Sequence, residues 1–303
     1  MSRIFISGLL NLETTVAIKR FPLDYFPVRY PFFGIQTTVS GVGFNLALAL
    51  KKLDNDVDFA TLIGRDDNGI LARKAIRGAK LDDELVLDLT DATAQSVILY
   101  DPGGKRQIHV DLKNIQDCDY PQAHAQAAIK MCDAAILCNI NFSRSLLRLA
   151  QQAGKLIVTD VHTLTDLEDD YNRDFMAAAE VLFLSDEALP ASPEAVAEAL
   201  LNHYQPEIIV IGLGAKGALL AVRGDDFIDR FEAVFTRPVV NTIGAGDAFL
   251  SAFVDRYLRT HDPYGALKAA MVFASYKIGE KGAAQGLLTR AEFENLLRQK
   301  GMK

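Results

Sequence analysis

The stretch NTIGAGDAFLSAF, Asn241 to Phe253, sets two glycines and an acid directly ahead of an apolar run. Ala248, Phe249, Ala252 and Phe253 recur with helical spacing, so a helix begins around Gly246. Small residues at Gly244, Ala245 and Gly246 keep side chains away from that helix start, where free N–H groups converge at the positive end of the helix dipole. Such a start is a cradle for an anion. Asp247 in the first turn has a plain structural explanation, because acids favour and cap that end of a helix. It also has a chemical one. A carboxylate beside N–H donors can take the proton from an alcohol while the donors hold the charge building on a phosphoryl group in transfer. That chemistry needs a hydroxyl-bearing acceptor and a nucleotide donor.

The rest of the chain must place this turn. Its 303 residues, 50% of them hydrophobic, suffice for a large α/β fold with a sizeable core. The balance of 32 basic against 39 acidic residues gives −7, without a long Lys/Arg run, so nucleic acid is not an expected partner. An anionic ligand remains compatible with that charge, since a few backbone N–H groups hold a phosphate whatever the net value. Cys118, Cys132 and Cys138 make neither a C-x-x-C pair nor an even disulfide framework, which suggests a reducing cytoplasm. The start, MSRIFISGLLNLE, has an apolar run too short for a membrane span and reads as a first core strand, not a signal peptide.

From Arg3 onward, apolar strands alternate with amphipathic helices. Strands are expected at IFISG, 57–64, 134–140, 155–161, 180–185 and 207–214, and helices at 43–53, 68–79, 143–152, 171–179 and 192–203. Near-continuous apolar strands separated by helices imply a doubly wound, mostly parallel sheet covered on both faces. Two regions break the rhythm. Residues 14–39 are rich in β-branched and aromatic residues, with three prolines, and 93–111 suggest a hairpin turning at Pro102-Gly103-Gly104. Both are expected to form antiparallel strands of a small second sheet, which packs as an edge, closes over a ligand, or clasps a second subunit in a homodimer.

With these elements in place, NTIGAGDAF is similar to the C-terminal signature of the ribokinase-like, or PfkB, carbohydrate and nucleoside kinase family. GLLNLETT (8–15) resembles its first strand and acceptor-binding turn, SGVGFNLALAL (40–50) its Gly-Gly and Asn substrate motif, and GRDDNG (64–69) its G-x-D-x-x-G turn. IGLGAKGALL (211–220) resembles its nucleotide-side strand pair and KGAAQGLLTRAEFENLL (281–297) its closing segment, so the likeness covers nearly the whole chain. It implies a single ribokinase-like kinase domain over 1–303, with lid segments at about 14–39 and 93–111. The implied activity is transfer of the γ-phosphoryl group of ATP, with Mg²⁺, to a hydroxyl of a small sugar.

By match to the family motifs, Asp247 is the expected general base, and the N–H groups of Gly244, Ala245 and Gly246 the anion hole. Asn11 and Glu13, the latter where the family commonly has Asp, would hold acceptor hydroxyls together with Gly41, Gly43 and Asn45; Ser40 replaces the first Gly of that motif. Asp66 contacts the acceptor side or caps a helix, and the cap is preferred. Asp160, at the carboxyl end of a strand, touches the acceptor or the metal shell, and His162 reads as a loop residue. In LFLSDEAL, Ser185 and Ala188 stand where many relatives carry Asn and Glu, leaving Glu187 to reach Mg²⁺ through water. Gly214, Gly217, Gly282 and Ala283 match the ATP-binding loops, and the helix GALKAAMVFASYKIG supplies an apolar wall.

The five histidines form no metal-ligand pattern. A nucleoside kinase of pseudouridine or adenosine type is the alternative, since Tyr25, Phe26, Tyr30, Phe32 and Phe33 could stack on a base, although lid core or a dimer contact explains them as well. A phosphorylated sugar would want basic residues near the lid, and Lys105, Arg106 and Arg29 are the candidates. A non-catalytic sugar or nucleotide sensor is a further class, motivated by Ser40 and the altered Ser185–Ala188 segment.

Overall fold

A computed structural model describes residues 1–280, 282 and 284–302. The strands are β1 (Arg3–Ser7), β2 (Asn11–Ala17), β3 (Ile35–Ser40), β4 (Asp56–Gly64), β5 (Val86–Thr90), β6 (Gln95–Tyr100), β7 (Arg106–Asp111), β8 (Ala134–Leu137), β9 (Leu156–Asp160), β10 (Val181–Ser185), β11 (Ile208–Gly212), β12 (Ala218–Val222) and β13 (Phe227–Phe231). The helices are α1 (Val42–Lys52), α2 (Asp67–Gly78), α3 (Gln122–Met131), α4 (Asn141–Gln152), α5 (Arg173–Ala178), α6 (Pro193–His203), α7 (Ala245–Thr260), α8 (Pro263–Lys277) and α9 (Arg290–Gln299).

Nine strands form the main sheet in the order β13-β12-β11-β10-β9-β8-β1-β4-β5. Pairing is parallel from β11 to β5 and antiparallel where β12 and β13 finish one edge. The alternation of side chains along each strand divides the core into two layers. Ile4, Ile6, Phe59, Ile136, Phe183 and Val210 face the layer built with α1, α7 and α8. Phe5, Leu62, Leu137, Leu182 and Ile209 face the layer built with α3, α4 and α6. Burial on both faces is why these strands carry continuous apolar runs.

A second sheet of four strands has the order β3-β2-β6-β7. The expected antiparallel pairs are β2–β3 and β6–β7, while β2 and β6 lie parallel and join the two halves. The span 14–39 is also not all strand. Residues 18–34 leave the sheet, because Pro22, Pro27 and Pro31 cannot donate to a ladder, and Ala17 N–H to Gly34 O at 2.7 Å closes the excursion. Tyr25, Phe32 and Phe33 on this excursion are exposed, so they are not lid core.

Candidate active site

The opening turn lies between the two sheets. Gly244 caps α7 with φ 72°, a left-handed conformation in which a Cβ would be strained. Ala245 N–H donates to Thr242 O at 3.2 Å, so its amide is engaged within the turn. A Cβ on Gly246 would meet no atom within 4 Å, so there is open space beside the first turn of α7 at that residue. Buried Asp255, farther along α7, anchors the helix: it accepts from Asn55 Nδ2 at 2.7 Å and from Arg290 Nη1 at 2.7 Å.

Two glycines bring the second part of the site into place. Gly41 caps α1 with φ 107°, and a Cβ on Gly43 would lie 2.5 Å from the carbonyl carbon of Gly8. Gly43 N–H donates to Leu9 O at 3.0 Å, seating the first turn of α1 on the loop after β1. This close approach carries Asn45 to Asp247: its Nδ2 donates to Asp247 Oδ2 at 2.7 Å. Ser40 Oγ stands 3.4 Å from Asn45 Oδ1 and donates to Glu13 Oε2 at 3.1 Å. A polar chain thus runs from Glu13 through Ser40 and Asn45 to Asp247. Asn11 Nδ2 donates to Ser96 Oγ at 2.8 Å on β6. Asn11 Oδ1 and Glu13 Oε1 are buried acceptors without a hydrogen-bond partner. Unpaired acceptors of this kind are costly and suit a ligand that brings O–H donors.

Burial holds the Asp247 carboxyl above its usual range; Asn45 and His162 pull it down, and Asp160 pushes it up. Burial likewise raises Glu13, against the hydrogen bond from Ser40 and with a further push from Asp247. Asp160 and His162 sit together after β9. His162, at φ 59°, donates its backbone N–H to Asp160 Oδ1 at 2.8 Å, with Nδ1 3.5 Å from Asp160 Oδ2. Burial disfavours the imidazolium, but Asp160 outweighs it and lifts His162 to about 9; the side chain is 45% exposed, so solvent screens the pair. Asp160 is held below its usual range, because the imidazolium outweighs the penalty of burial. Asp66 is a helix cap as preferred, accepting from Gly69 N–H at 2.8 Å and Thr93 Oγ1 at 2.6 Å.

On the opposite side, a cleft of about 660 Å³ opens between β7 and the turn ahead of α7, lined by Phe21, Lys105, Arg106, Ile108, Glu187 and Thr242. Arg106 Nη1 donates to Thr242 O at 3.3 Å, bridging β7 and the turn. Ser185 at the end of β10 donates its N–H to His162 O at 2.6 Å, and its Oγ accepts from Glu187 N–H at 3.3 Å. Gly214 has φ 57° with open space around it, whereas Gly217 is fixed by packing, since a Cβ there would collide with Phe231 O. Gly282 O accepts from Gln285 N–H at 3.2 Å, and Ala283 lies outside the described residues. Among the described residues, no group of three or more His, Cys, Asp or Glu could hold a metal ion.

A profile of the pfkB family carbohydrate kinases matches residues 29–290. The chain belongs to this family. This kinase is therefore a phosphotransferase with a hydroxyl acceptor. It is 26% identical over 286 residues to the ATP-dependent ribose-1-phosphate kinase of Halopiger xanaduensis, covering 93% of this chain and 94% of that one. Among solved structures it resembles a microbiome-derived acarbose kinase, with TM-score 0.87, 26% identity and coverage of 98% and 99%. It shares the fold of Arabidopsis thaliana ribokinase complexed with ribose and ATP, with TM-score 0.80, 20% identity and coverage of 98% and 99%. In this kinase no helix of the described residues is long and apolar enough to cross a membrane.

Three contacts around the candidate site of the kinase go beyond what sequence reasoning gives. His162 lies in the loop after β9, as expected, and what the loop reading does not give is its pairing with Asp160, for which an imidazole two residues past a strand-ending Asp is a usable signal. Arg106 was considered only for a phosphorylated acceptor, not as a bridge to Thr242. Lys277 was absorbed into an apolar helix; a lone lysine at the end of AAMVFASYK gives no sign of whether its head is buried or snorkels to water.

Proposed function

We propose that this kinase transfers the γ-phosphoryl group of ATP to a hydroxyl of a small sugar, with Asp247 as general base and the helix start 244–247 as anion hole. One observation carries the proposal: Glu13, Ser40, Asn45 and Asp247 form one polar chain, and the buried acceptors Glu13 Oε1 and Asn11 Oδ1 lack a donor beside it. Sugar hydroxyls supply such donors. Held by Glu13 and Asn11, the acceptor presents one further hydroxyl to Asp247, whose second oxygen is fixed by Asn45. Asp247 takes the proton as that oxygen attacks in line, and its raised affinity for protons brings it nearer to a base matched to neutral pH. The outward N–H groups of Gly244 and Gly246 hold the charge on the phosphoryl oxygens. Mg²⁺, bound through water near Glu187, would neutralise phosphate charge. Ser185, Gly214, Gly217, Gly282 and Ala283 are assigned to the nucleotide side, and Gly41, Gly43 and Asp160 to the acceptor side.

A nucleoside acceptor is the second reading, favoured by Phe21 in the cleft and by the exposed rings of Tyr25, Phe32 and Phe33. The same rings and the exposed β7 support a homodimer through the lid, which sedimentation would detect. The deciding assay is transfer from Mg·ATP across sugars, sugar phosphates and nucleosides, beside Asp247→Ala, with products identified by mass. Transfer to one class, lost in the variant, supports the proposal. No transfer to any of them would overturn it.

A further inference from the structure

Lys277, the last residue of α8, is 0% exposed. An ammonium held out of water is costly, and its stem alone would be better served there by Met or Leu. Its Nζ donates to the carbonyl oxygen of Ile243, the residue just before the Gly244 cap. The end of α8 holds the same turn twice more, because Ile278 O accepts from Val240 N–H at 2.8 Å and Asn241 N–H at 3.0 Å. Across a trans peptide, the C=O of one residue and the N–H of the next point in opposite directions. Drawing Ile243 C=O inward to the ammonium therefore turns Gly244 N–H away from it, at the start of α7. The ammonium itself has no route to a ligand, so it acts through the turn.

We propose that Lys277 is a positioning residue for phosphoryl transfer: its buried ammonium fixes the Ile243–Gly244 peptide plane, aims Gly244 N–H at the phosphoryl group, and lays a fixed positive charge beneath that site. This rests on the kinase function proposed above. Burial pulls Lys277 down to about 8, against Asp247 on α7 and Glu13 on β2; Arg106 on β7 lowers it further and Glu280, just past α8, raises it. It is thus charged at neutral pH, and the device discharges as pH rises past that value.

The test compares the full-length protein with Lys277→Met. Turnover should fall about tenfold to a hundredfold, the cost of a misaimed donor, while the melting temperature stays within about 3 °C. Hydrogen exchange at 240–248 should accelerate, the loss of wild-type kcat above about pH 8 should vanish from the variant's profile, and millimolar methylammonium should restore part of the turnover of Lys277→Ala. If Lys277→Met does not fold, Lys277→Leu, which drops both the donor and the charge, carries the same measurements. Wild-type turnover and wild-type exchange in the variant would overturn the inference. A wild type without any transfer would sink the kinase function instead, and exchange at 240–248 with ATP affinity would still decide the positioning role.

Discussion

Replacing Asp247 with Asn separates what its charge does from what its shape does. Asn45 Nδ2 donates to Asp247 Oδ2 at 2.7 Å, and Asn at 247 offers an amide oxygen at the same place, so the packing of α1 against α7 is retained. What disappears is the base and a buried negative charge. Loss of a positioned general base costs about 10²–10⁴ in turnover, roughly 3 to 5 kcal/mol of barrier. Stability should move the other way. The folded Asp247 binds its proton more tightly than the unfolded chain, so stability falls as pH rises from the ordinary Asp value through the folded one. Asn removes that loss, and ATP, itself an anion, meets one less negative charge. The expected outcome is a protein that melts no lower than wild type, binds ATP at least as tightly, and turns over at least a hundredfold more slowly. Stopped assays with mass detection, thermal melts and ATP titration read the three quantities. Turnover within tenfold of wild type would refute the assignment, because among the described residues no other carboxylate hydrogen-bonds Asn45 directly.

Other variants probe the remaining parts of the site. Glu13→Gln replaces one buried carboxylate oxygen with an N–H₂ group facing the acceptor, so acceptor KM should rise about tenfold or more, with ATP KM unchanged in the same assay. Gly43→Ala puts a methyl group 2.5 Å from the Gly8 carbonyl carbon, backbone against backbone, and should lower stability by about 1–3 kcal/mol in denaturant titration while weakening acceptor binding. His162→Ala removes a positive charge that lowers Asp247, so the acid limb of the pH profile of kcat/KM should shift to higher pH; an unmoved limb would show that the two do not communicate.

The doubly wound sheet was legible because strands buried on both faces must be apolar throughout, and β1, β8, β10 and β11 carry that mark without interruption. The small sheet was legible only as two hairpin-like regions. Its parallel β2–β6 seam joins residues about eighty apart, and no local pattern encodes which edge meets which. β13 was missed: FIDRF is half exposed at the sheet edge and short of the apolar run that marks its neighbours. In the site, Asp247, Gly43 and Asn45 announced themselves by motif, but the contact of Asn45 with Asp247 bridges 202 positions and depends on Gly8 and Gly43 meeting backbone to backbone. Ser40 stood out only as a departure from a glycine, whereas its hydroxyl links Glu13 to Asn45.

On the proposed function a chain of net −7 holds a polyphosphate beside three carboxylates, and the charges of the site make that tolerable. Asp160 is balanced by His162 at close range, and the helix start contributes positive N–H groups that never titrate. Glu13 and Asp247 both sit above their usual pKa range, so each resists carrying charge, and each is opposed by the field of Lys277. Removing either carboxylate therefore leaves the other easier to ionise, because Asp247 itself raises Glu13. The two acids then behave as a coupled pair whose acid limb belongs to both. In Glu13→Gln the remaining limb should move to lower pH, opposite in sign to the shift expected from His162→Ala, so the two variants together separate electrostatic tuning of the base from simple damage to the pocket.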